Sequence, residues 1–364
     1  MNAPLHVAIA VLCGTIGGPA TYGRRLVKAL AAVGGVRVSV LTDRPDALAA
    51  PGLEIVPVPM RGGLDRLRWQ HWAVPHALKK LRPDVYHDTK NALPLRLSQP
   101  AVVTVHDLAY HTVPETFGFF SRLFLRRATA HASRHARAIV VPSQATATDL
   151  ARIHPACAAR IHVVPHGVDA APHVPGELRE RVRARLRLPE HYVLHVGTVQ
   201  ARKNVDLVIQ GVRLLRERGL PHKALVVGRR GWLAAAAVRE IERDDTAMWI
   251  EHVAAEDLAA VYAMAAAFVS PSAYEGFGFA VADALAAGVP TVIADRSSLP
   301  ELCADAAVKL RELSGSAVAD ALGPLLTDQR QRELLRERGR QRAAQFSWSA
   351  CAEAHLRAYR TAAQ

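Results

Sequence analysis

Several features that mark other protein classes are missing from this 364-residue chain. No run reaches about 18 uninterrupted apolar residues, so no segment reads as a membrane-spanning helix. The opening apolar stretch, residues 3–13, is broken by Pro4 and His6 and lacks a basic n-region, so it reads as a first strand and not as a signal peptide. Cysteine is scarce: Cys13, Cys157, Cys303 and Cys351 are scattered without metal-ligand spacing, and the expectation is reduced thiols in a cytoplasmic protein. Low-complexity tracts and short repeats are absent. There is no Walker phosphate loop, no Gly-x-Ser-x-Gly elbow, no His-Glu-x-x-His helix, and no Asp-x-Asp pair for a metal-bridged diphosphate. Zinc-finger spacing, an RNA-recognition aromatic motif and a concentrated basic tail are also missing, which argues against nucleic acid as a partner.

What the chain does have is apolar content and an uneven charge. Half of its residues are hydrophobic, enough at this length for two domains to bury real cores. Of the net charge of +13, residues 1–170 carry +10, from 20 Lys/Arg and 10 Asp/Glu, and the remainder carries +3. A diffuse basic excess attracts phosphate-bearing partners, an anionic lipid surface among them. Short apolar runs alternate with amphipathic stretches. Strands are predicted at residues 6–13, 36–42, 84–87, 101–106 and 138–142, with helical patterns at 22–33 and 119–136 between them. A second set of strands is predicted at 192–196, 224–227, 248–253, 267–270 and 291–294. The pattern is that of an α/β chain with two doubly wound sheets. The boundary falls near residues 170–177, where Pro172, Pro175 and Gly176 precede a charged helix over 177–188.

Residues 270–292 are the most informative stretch. Gly276 and Gly278, with Phe277 between them, predict a tight turn after a strand; a helix over 279–287 follows, closed by Gly288, and then the next strand. Glu275 then lies in a loop at the carboxyl end of a parallel strand, where open α/β sheets bind ligands, and Asp283 about a turn and a half into the helix behind it. N–H groups at such a helix start attract an anion, here a phosphate. A second loop, Gly197-Thr198-Val199-Gln200-Ala201-Arg202-Lys203-Asn204, sets two cations at another helix start, suited to a departing diphosphate. A third, Gly14-Thr15-Ile16-Gly17-Gly18, is either a close-approach phosphate loop or an ordinary strand-to-helix turn. Val105-His106-Asp107-Leu108 ends a strand of the first half and makes His106 a candidate for the site or for a structural hydrogen bond.

These segments resemble the family-4 retaining glycosyltransferases of the GT-B fold, and the resemblance extends over nearly the whole chain. That family carries a Glu, seven residues, Glu signature whose first acid contacts the donor sugar and whose second hydrogen-bonds the nucleotide ribose. Glu275 matches the first, and Asp283, shorter by one methylene, stands at the second. The resemblance implies that Lys203 grips the donor diphosphate; Thr198 stands where many members carry Arg, and Arg202 is the candidate for the missing charge. It further implies that Gly17 and Gly18 approach donor phosphate and acceptor, and that His106 faces the sugar. The implied catalytic groups are Glu275, His106 and Lys203, with Gly17, Gly18, Thr198, Arg202, Gly276, Phe277, Gly278 and Asp283 joining Lys203 and Glu275 around the donor. The implied architecture is two doubly wound Rossmann-like domains facing a central cleft: an acceptor-binding domain over 1–170, a nucleotide-sugar-binding domain over 171–345, and a helix over 346–364 crossing back to the first.

The implied activity is retaining, metal-independent transfer of a hexose from a nucleotide-diphosphate sugar, with no further cofactor, to a saccharide or lipid-linked acceptor in cell-surface polysaccharide assembly. The Gly-Thr-x-x-x-Arg-Lys-Asn form and the His-Asp-Leu segment are most similar to the mannosyltransferase-like branch, making GDP-mannose the first expectation for the donor. Other readings stay open: a GT-B nucleotide-sugar epimerase or phosphorylase, a noncatalytic sugar-nucleotide-binding protein, and a hydrolase using Glu275 and Asp283 as acid and base. The stretch from Phe119 to Arg127, continuing through Arg134 and Arg137, mixes aromatic groups with a basic face. Either it lies on an anionic membrane surface, placing the protein peripherally at the inner face of the cell membrane, or its apolar side packs on the first sheet.

Overall fold

The computed structural model describes residues 4–12, 17–58, 60, 65–243 and 245–364. Residues 13–16, which include most of the first glycine-rich loop, lie outside the described residues. Contacts divide the chain into two units, one of Met1–His111, Phe119–Gly167 and Phe346–Gln364, the other of Thr112–Gly118 and Val168–Gln345.

In the first unit β1 (Leu5–Val11), β2 (Val36–Thr42), β3 (Leu53–Pro57), β4 (Val85–Asp88), β5 (Ala101–Thr104), β6 (Ala138–Val141) and β7 (Ile161–Val163) form a sheet in the order β3-β2-β1-β4-β5-β6-β7. In the second, β8 (Tyr192–Val196), β9 (Lys223–Val227), β10 (Ala247–Ile250), β11 (Ala267–Ser270), β12 (Thr291–Ala294) and β13 (Ala307–Leu310) are ordered β10-β9-β8-β11-β12-β13. Every pairing described is parallel. The strand order reverses between β1 and β4 and again between β8 and β11. Those two switch points are where a doubly wound sheet opens a crevice at its carboxyl edge.

Central strands are apolar on both faces because helices cover both. All of β11 and Tyr192–His195 of β8 are buried. The helix Val205–Glu217 sets Val208, Ile209, Val212 and Leu215 against Val193, Val226 and Val269. Gly211 permits the helix Gly315–Thr327 to pack over it, since a Cβ there would sit 2.8 Å from the Cβ of Val318. Each fully buried Val or Leu contributes about 1.5–3 kcal/mol, so this layer fixes the sheet from which the loops spring.

The closing helix Trp348–Ala363 is capped by Ser347, whose Oγ accepts from the Ala350 amide at 3.1 Å, and it packs against the helix Gly18–Val33 of the first unit. Its buried polar groups form a chain with one possible direction. A carbonyl only accepts, so His355 Nδ1, 2.7 Å from the Cys351 carbonyl, carries the proton. His355 Nε2 must then accept from the Tyr22 hydroxyl at 2.7 Å, and Tyr22 in turn accepts from Thr104 Oγ1 at 2.8 Å. That leaves His87 Nε2 to donate to Thr104 and His87 Nδ1 to accept from the Tyr359 hydroxyl, both at 2.8 Å. Burial holds His87 well below the ordinary histidine pKa and His355 at about 4, so both rings are neutral.

Several predicted bounds shift. The helix expected from residue 22 begins a turn earlier, at Gly18, with Pro19 in its first turn. The strand expected over 248–253 stops at Ile250, whose carbonyl accepts from Gly228. The strands β3, β7 and β13 were not predicted; β3 and β7 are only partly buried, and all three are short. The segment Thr112–Gly118, expected in the first domain, belongs to the second unit, where Trp232 Nε1 donates to the Thr116 carbonyl at 2.8 Å and the indole lies tilted against Phe117, centroids 5.8 Å apart.

Candidate functional site

The switch point of the second sheet joins the loops after β8 and β11. Four bonds stitch them: Asn204 Nδ2 donates to the Pro271 carbonyl at 2.8 Å, Ala273 N to the Arg202 carbonyl at 2.9 Å, Arg202 Nη1 to the Tyr274 carbonyl, and Lys203 Nζ to Glu275 Oε1. Arg202 Nη1 also lies 3.2 Å from Glu275 Oε2. The three side chains are 11 %, 16 % and 10 % exposed for Arg202, Lys203 and Glu275, so their charges act in a poorly screened space. Both predicted cations therefore converge on the predicted acid.

Burial alone would raise the Glu275 carboxyl; the Lys203 ammonium and the Arg202 guanidinium overcome it and hold the group at about 2. Ionised at neutral pH, Glu275 accepts hydrogen bonds and has no proton to give. A two-carboxylate hydrolase needs one acid displaced upward, and Glu275 is displaced the other way. Two cations against one carboxylate leave this trio with a positive charge, which suits an anionic ligand.

The turn between β11 and the helix Phe279–Ala286 needs glycine at position 278 for two reasons. Its φ is +101°, and a Cβ would meet Leu299 Cδ2 at 2.8 Å. Gly276 and Phe277 are buried beside it, and no acidic residue occupies the first turn of that helix, so its N–H groups keep their pull on an anion. Sequence reasoning missed what clamps this loop. Ser297 Oγ accepts from the Glu275 amide at 2.8 Å, and Ser298 Oγ donates to the Glu275 carbonyl at 2.9 Å and faces that of Phe277 at 3.2 Å. The signal was available as a polar pair at the carboxyl end of the neighbouring strand β12. Thr198 is half-buried and fills space against Gly231, whose Cβ would lie 2.6 Å from its methyl. Asp283, unlike Glu275, is exposed on its helix, near the buried Tyr262 hydroxyl.

Gly17, Gly18 and His106 belong to the first unit. Gly17 caps the helix Gly18–Val33 with φ +117°, its carbonyl accepting from Ala20 and Thr21. His106 Nε2 donates to the Thr89 carbonyl at 2.7 Å, and its ring meets Tyr22 edge-on, with centroids 5.0 Å apart. Burial lowers it to about 4, against a partial lift from the Thr89 bond, so it is a neutral ring whose other nitrogen is an acceptor.

In the same unit, the helix Phe119–His135 buries only Thr129, Ala132 and Ser133. Phe119, Phe120 and Trp72 are 62 %, 83 % and 68 % exposed, beside an open hollow of about 300 Å³ between Leu93, Leu123, Phe124 and Arg127. Phe119, Phe120 and Phe124 of its first turns are exposed, while Leu123 and Leu125 are half-buried.

Two family models match the chain in succession, one described as Glycosyltransferase Family 4 over residues 16–172, the other as Glycosyl transferases group 1 over residues 178–342. The O-antigen chain mannosyltransferase B of Escherichia coli is 30 % identical over 299 residues, covering 80 % of this chain and 77 % of that protein. Among solved structures, WaaG, a glycosyltransferase involved in lipopolysaccharide biosynthesis, aligns with a TM-score of 0.74 at 21 % identity over 96 % of this chain and 99 % of its own. Anabaena Alr3699/HepE in complex with UDP and glucose aligns with a TM-score of 0.76 at 17 % identity, over 96 % and 98 %. Likeness at these identities shows the fold, which is GT-B, with two Rossmann-like units.

Proposed function

The chain belongs to glycosyltransferase family 4, and from that premise we propose that it is a retaining, metal-independent hexosyltransferase that moves mannose from GDP-mannose to a lipid-linked saccharide in cell-surface polysaccharide assembly. The observation that carries the reading is the convergence of Arg202 and Lys203 on Glu275 at the switch point of the second sheet. As the sugar–phosphate bond breaks, negative charge grows on the diphosphate, and two cations beside a helix start stabilise it where it grows. These side chains supply the charge that a metal provides elsewhere. Glu275 orients the sugar by accepting from its hydroxyls, and Gly276, Phe277, Gly278 and Thr198 shape the pocket around it. Asp283 reaches the ribose from the helix surface. His106 offers the sugar a neutral ring, while Gly17 and Gly18 allow close approach of phosphate and acceptor. The mannosyltransferase of Escherichia coli supports mannose as the sugar.

Among the described residues no helix is long and apolar enough to cross a membrane. Exposed Phe119, Phe120 and Phe124 beside Arg122 and Arg127 support peripheral binding to an anionic bilayer at its cytoplasmic face. Anionic vesicles should co-sediment the protein, neutral ones should not, and replacing Arg122, Arg126 and Arg127 by Ser should weaken binding. Equal binding to both kinds, or to neither, removes the membrane from the account.

The activity itself is tested by incubating GDP-mannose with a polyprenyl-diphosphate-linked saccharide in excess EDTA and reading the product anomer by NMR. An α-mannoside is expected. A β-product overturns retention, and activity that vanishes in EDTA and returns with a divalent ion overturns metal independence.

A further inference from the structure

His195 is used by none of these steps, yet it lies two residues before the Gly197 loop. Its ring is 1 % exposed and stacks on Phe268, with centroids 6.5 Å apart and planes 9° from parallel. Nδ1 sits 2.9 Å from the Val269 carbonyl, which only accepts, so Nδ1 carries the proton and Nε2 presents a lone pair. That Nε2 is buried with no hydrogen-bond partner. Burial pulls the ring to about 4, partly offset by the Val269 bond, so the lone pair is retained at neutral pH. A Cβ placed on Gly197 would lie 3.7 Å from His195 Nε2, 3.7 Å from Lys203 Cε and 3.8 Å from Lys203 Nζ. The side chain that glycine lacks leaves a gap with an acceptor on one side and an ammonium on the other. An unsatisfied buried acceptor is destabilising, and its presence is explained if the atom is used in another state of the protein.

We propose that His195 is a positioning residue for Lys203, its Nε2 accepting one N–H of the ammonium when Lys203 turns from Glu275 toward a bound diphosphate. The proposal rests on the reading of Lys203 as the diphosphate grip. An ammonium has three donors. One is given to Glu275 in the unliganded protein; with a phosphate in front, an acceptor behind fixes the direction of the flexible side chain. A neutral acceptor suits this position. A second carboxylate would compete with the phosphate for the charge, and an apolar group would leave the lysine free to swing. Gly197 keeps the gap open.

Amide side chains separate the two ring nitrogens. In His195→Asn the amide reaches about as far as Nδ1, which keeps the Val269 bond and removes the acceptor; in His195→Gln an oxygen reaches about as far as Nε2. The readout is the Kd for GDP and for GMP by titration calorimetry, or for UDP and UMP if the protein binds uridine nucleotides instead. His195→Asn should weaken GDP about ten-fold, an effect of about 1.4 kcal/mol expected for one hydrogen bond to a charged group, and leave GMP within about two-fold. His195→Gln should recover most of the loss. His195→Phe, which keeps a ring against Phe268 and offers no acceptor, should show the same loss confined to the diphosphate, and it decides the matter if His195→Asn does not fold. Unchanged GDP affinity in the Asn and Phe variants overturns the proposal, as do equal losses for GDP and GMP. A Lys203→Ala variant that binds GDP as tightly as the wild type overturns instead the diphosphate grip on which it rests.

Discussion

At the switch point of the second sheet the groups that matter are charged: Arg202, Lys203 and Glu275 meet between the loops after β8 and β11. Around β4 and β5 of the first sheet, apart from the buried Asp88 at the end of β4, the buried polar groups are neutral: His87, Thr104 and His106, joined by His355 and Tyr359 from the closing helix. Both regions belong to doubly wound parallel sheets, so topology does not set the difference. The charged trio has a net positive sign and a helix start beside it, and it suits an anionic ligand at some expense in desolvation. The neutral chain has its proton order dictated by one carbonyl, and it suits the fixing of a helix, since each member is satisfied without any charge being buried.

The largest effect that would break this comparison is loss of charge in the second unit. Lys203→Ala and Glu275→Ala should each slow transfer by more than about 100-fold, as expected for removing a preorganised electrostatic contact. Tyr359→Phe, which deletes one neutral hydrogen bond of the first unit, should cost about 1 kcal/mol of stability and change the rate little. Rates close to wild type in both charge variants would remove the distinction.

Acid should separate the two regions next. His106 and His355 titrate at about 4 when folded, and histidine in an unfolded chain near 6.5. The unfolded chain therefore binds the extra proton between those values. The stability these rings contribute is whole above pH ~6.5 and is lost toward pH 4, at up to about 1.4 kcal/mol per pH unit for each. His87 and His166 shift in the same direction, also through burial. Glu275, at about 2, behaves otherwise: its contribution is complete above the ordinary glutamate value of 4.5 and is lost only as the pH falls toward 2. The second unit holds such rings too: His195, at about 4, and His222, lowered by burial in the same direction. Hydrogen exchange at pH 7 and pH 5 should show Trp348–Ala363 and β5 losing protection ahead of β12 and the helix Phe279–Ala286, which hold no histidine. Equal loss in both would break the contrast.

The smallest effect concerns the ribose. Asp283→Asn should raise the donor KM a few-fold, and Asp283→Glu should leave a working enzyme; unchanged donor kinetics in the Asn variant would make Asp283 a surface carboxylate alone.

Much of this was legible in the sequence where a buried apolar run is bounded by glycine. The prediction for β8 matches residue for residue, β11 and β12 lie where strands were expected to within two residues, and the helix after Gly278 matches to within one. Short, partly buried strands such as β3 and β7 escaped, because runs of five and three residues are too brief for an alternation to show. The loop positions of Lys203 and Glu275 could be read, but not their contact across 72 residues, which depends on Asn204 reaching Pro271 and Ala273 reaching Arg202. Which way the apolar groups of Phe119–His135 turn was left between two readings, because it depends on packing and not on periodicity. His195 was illegible, since a histidine within a buried strand carries no pattern that distinguishes it from scaffold.

The central claim is that the second switch point holds a nucleoside diphosphate through Lys203. Thermal unfolding with GDP, UDP and dTDP, on the wild type and on Lys203→Ala, tests it most directly, because a ligand that binds the folded state raises its apparent stability. The account predicts that one of the three raises the midpoint of the wild type by several degrees and that the shift is lost in Lys203→Ala. No shift with any of the three, or the same shift in both proteins, would contradict it.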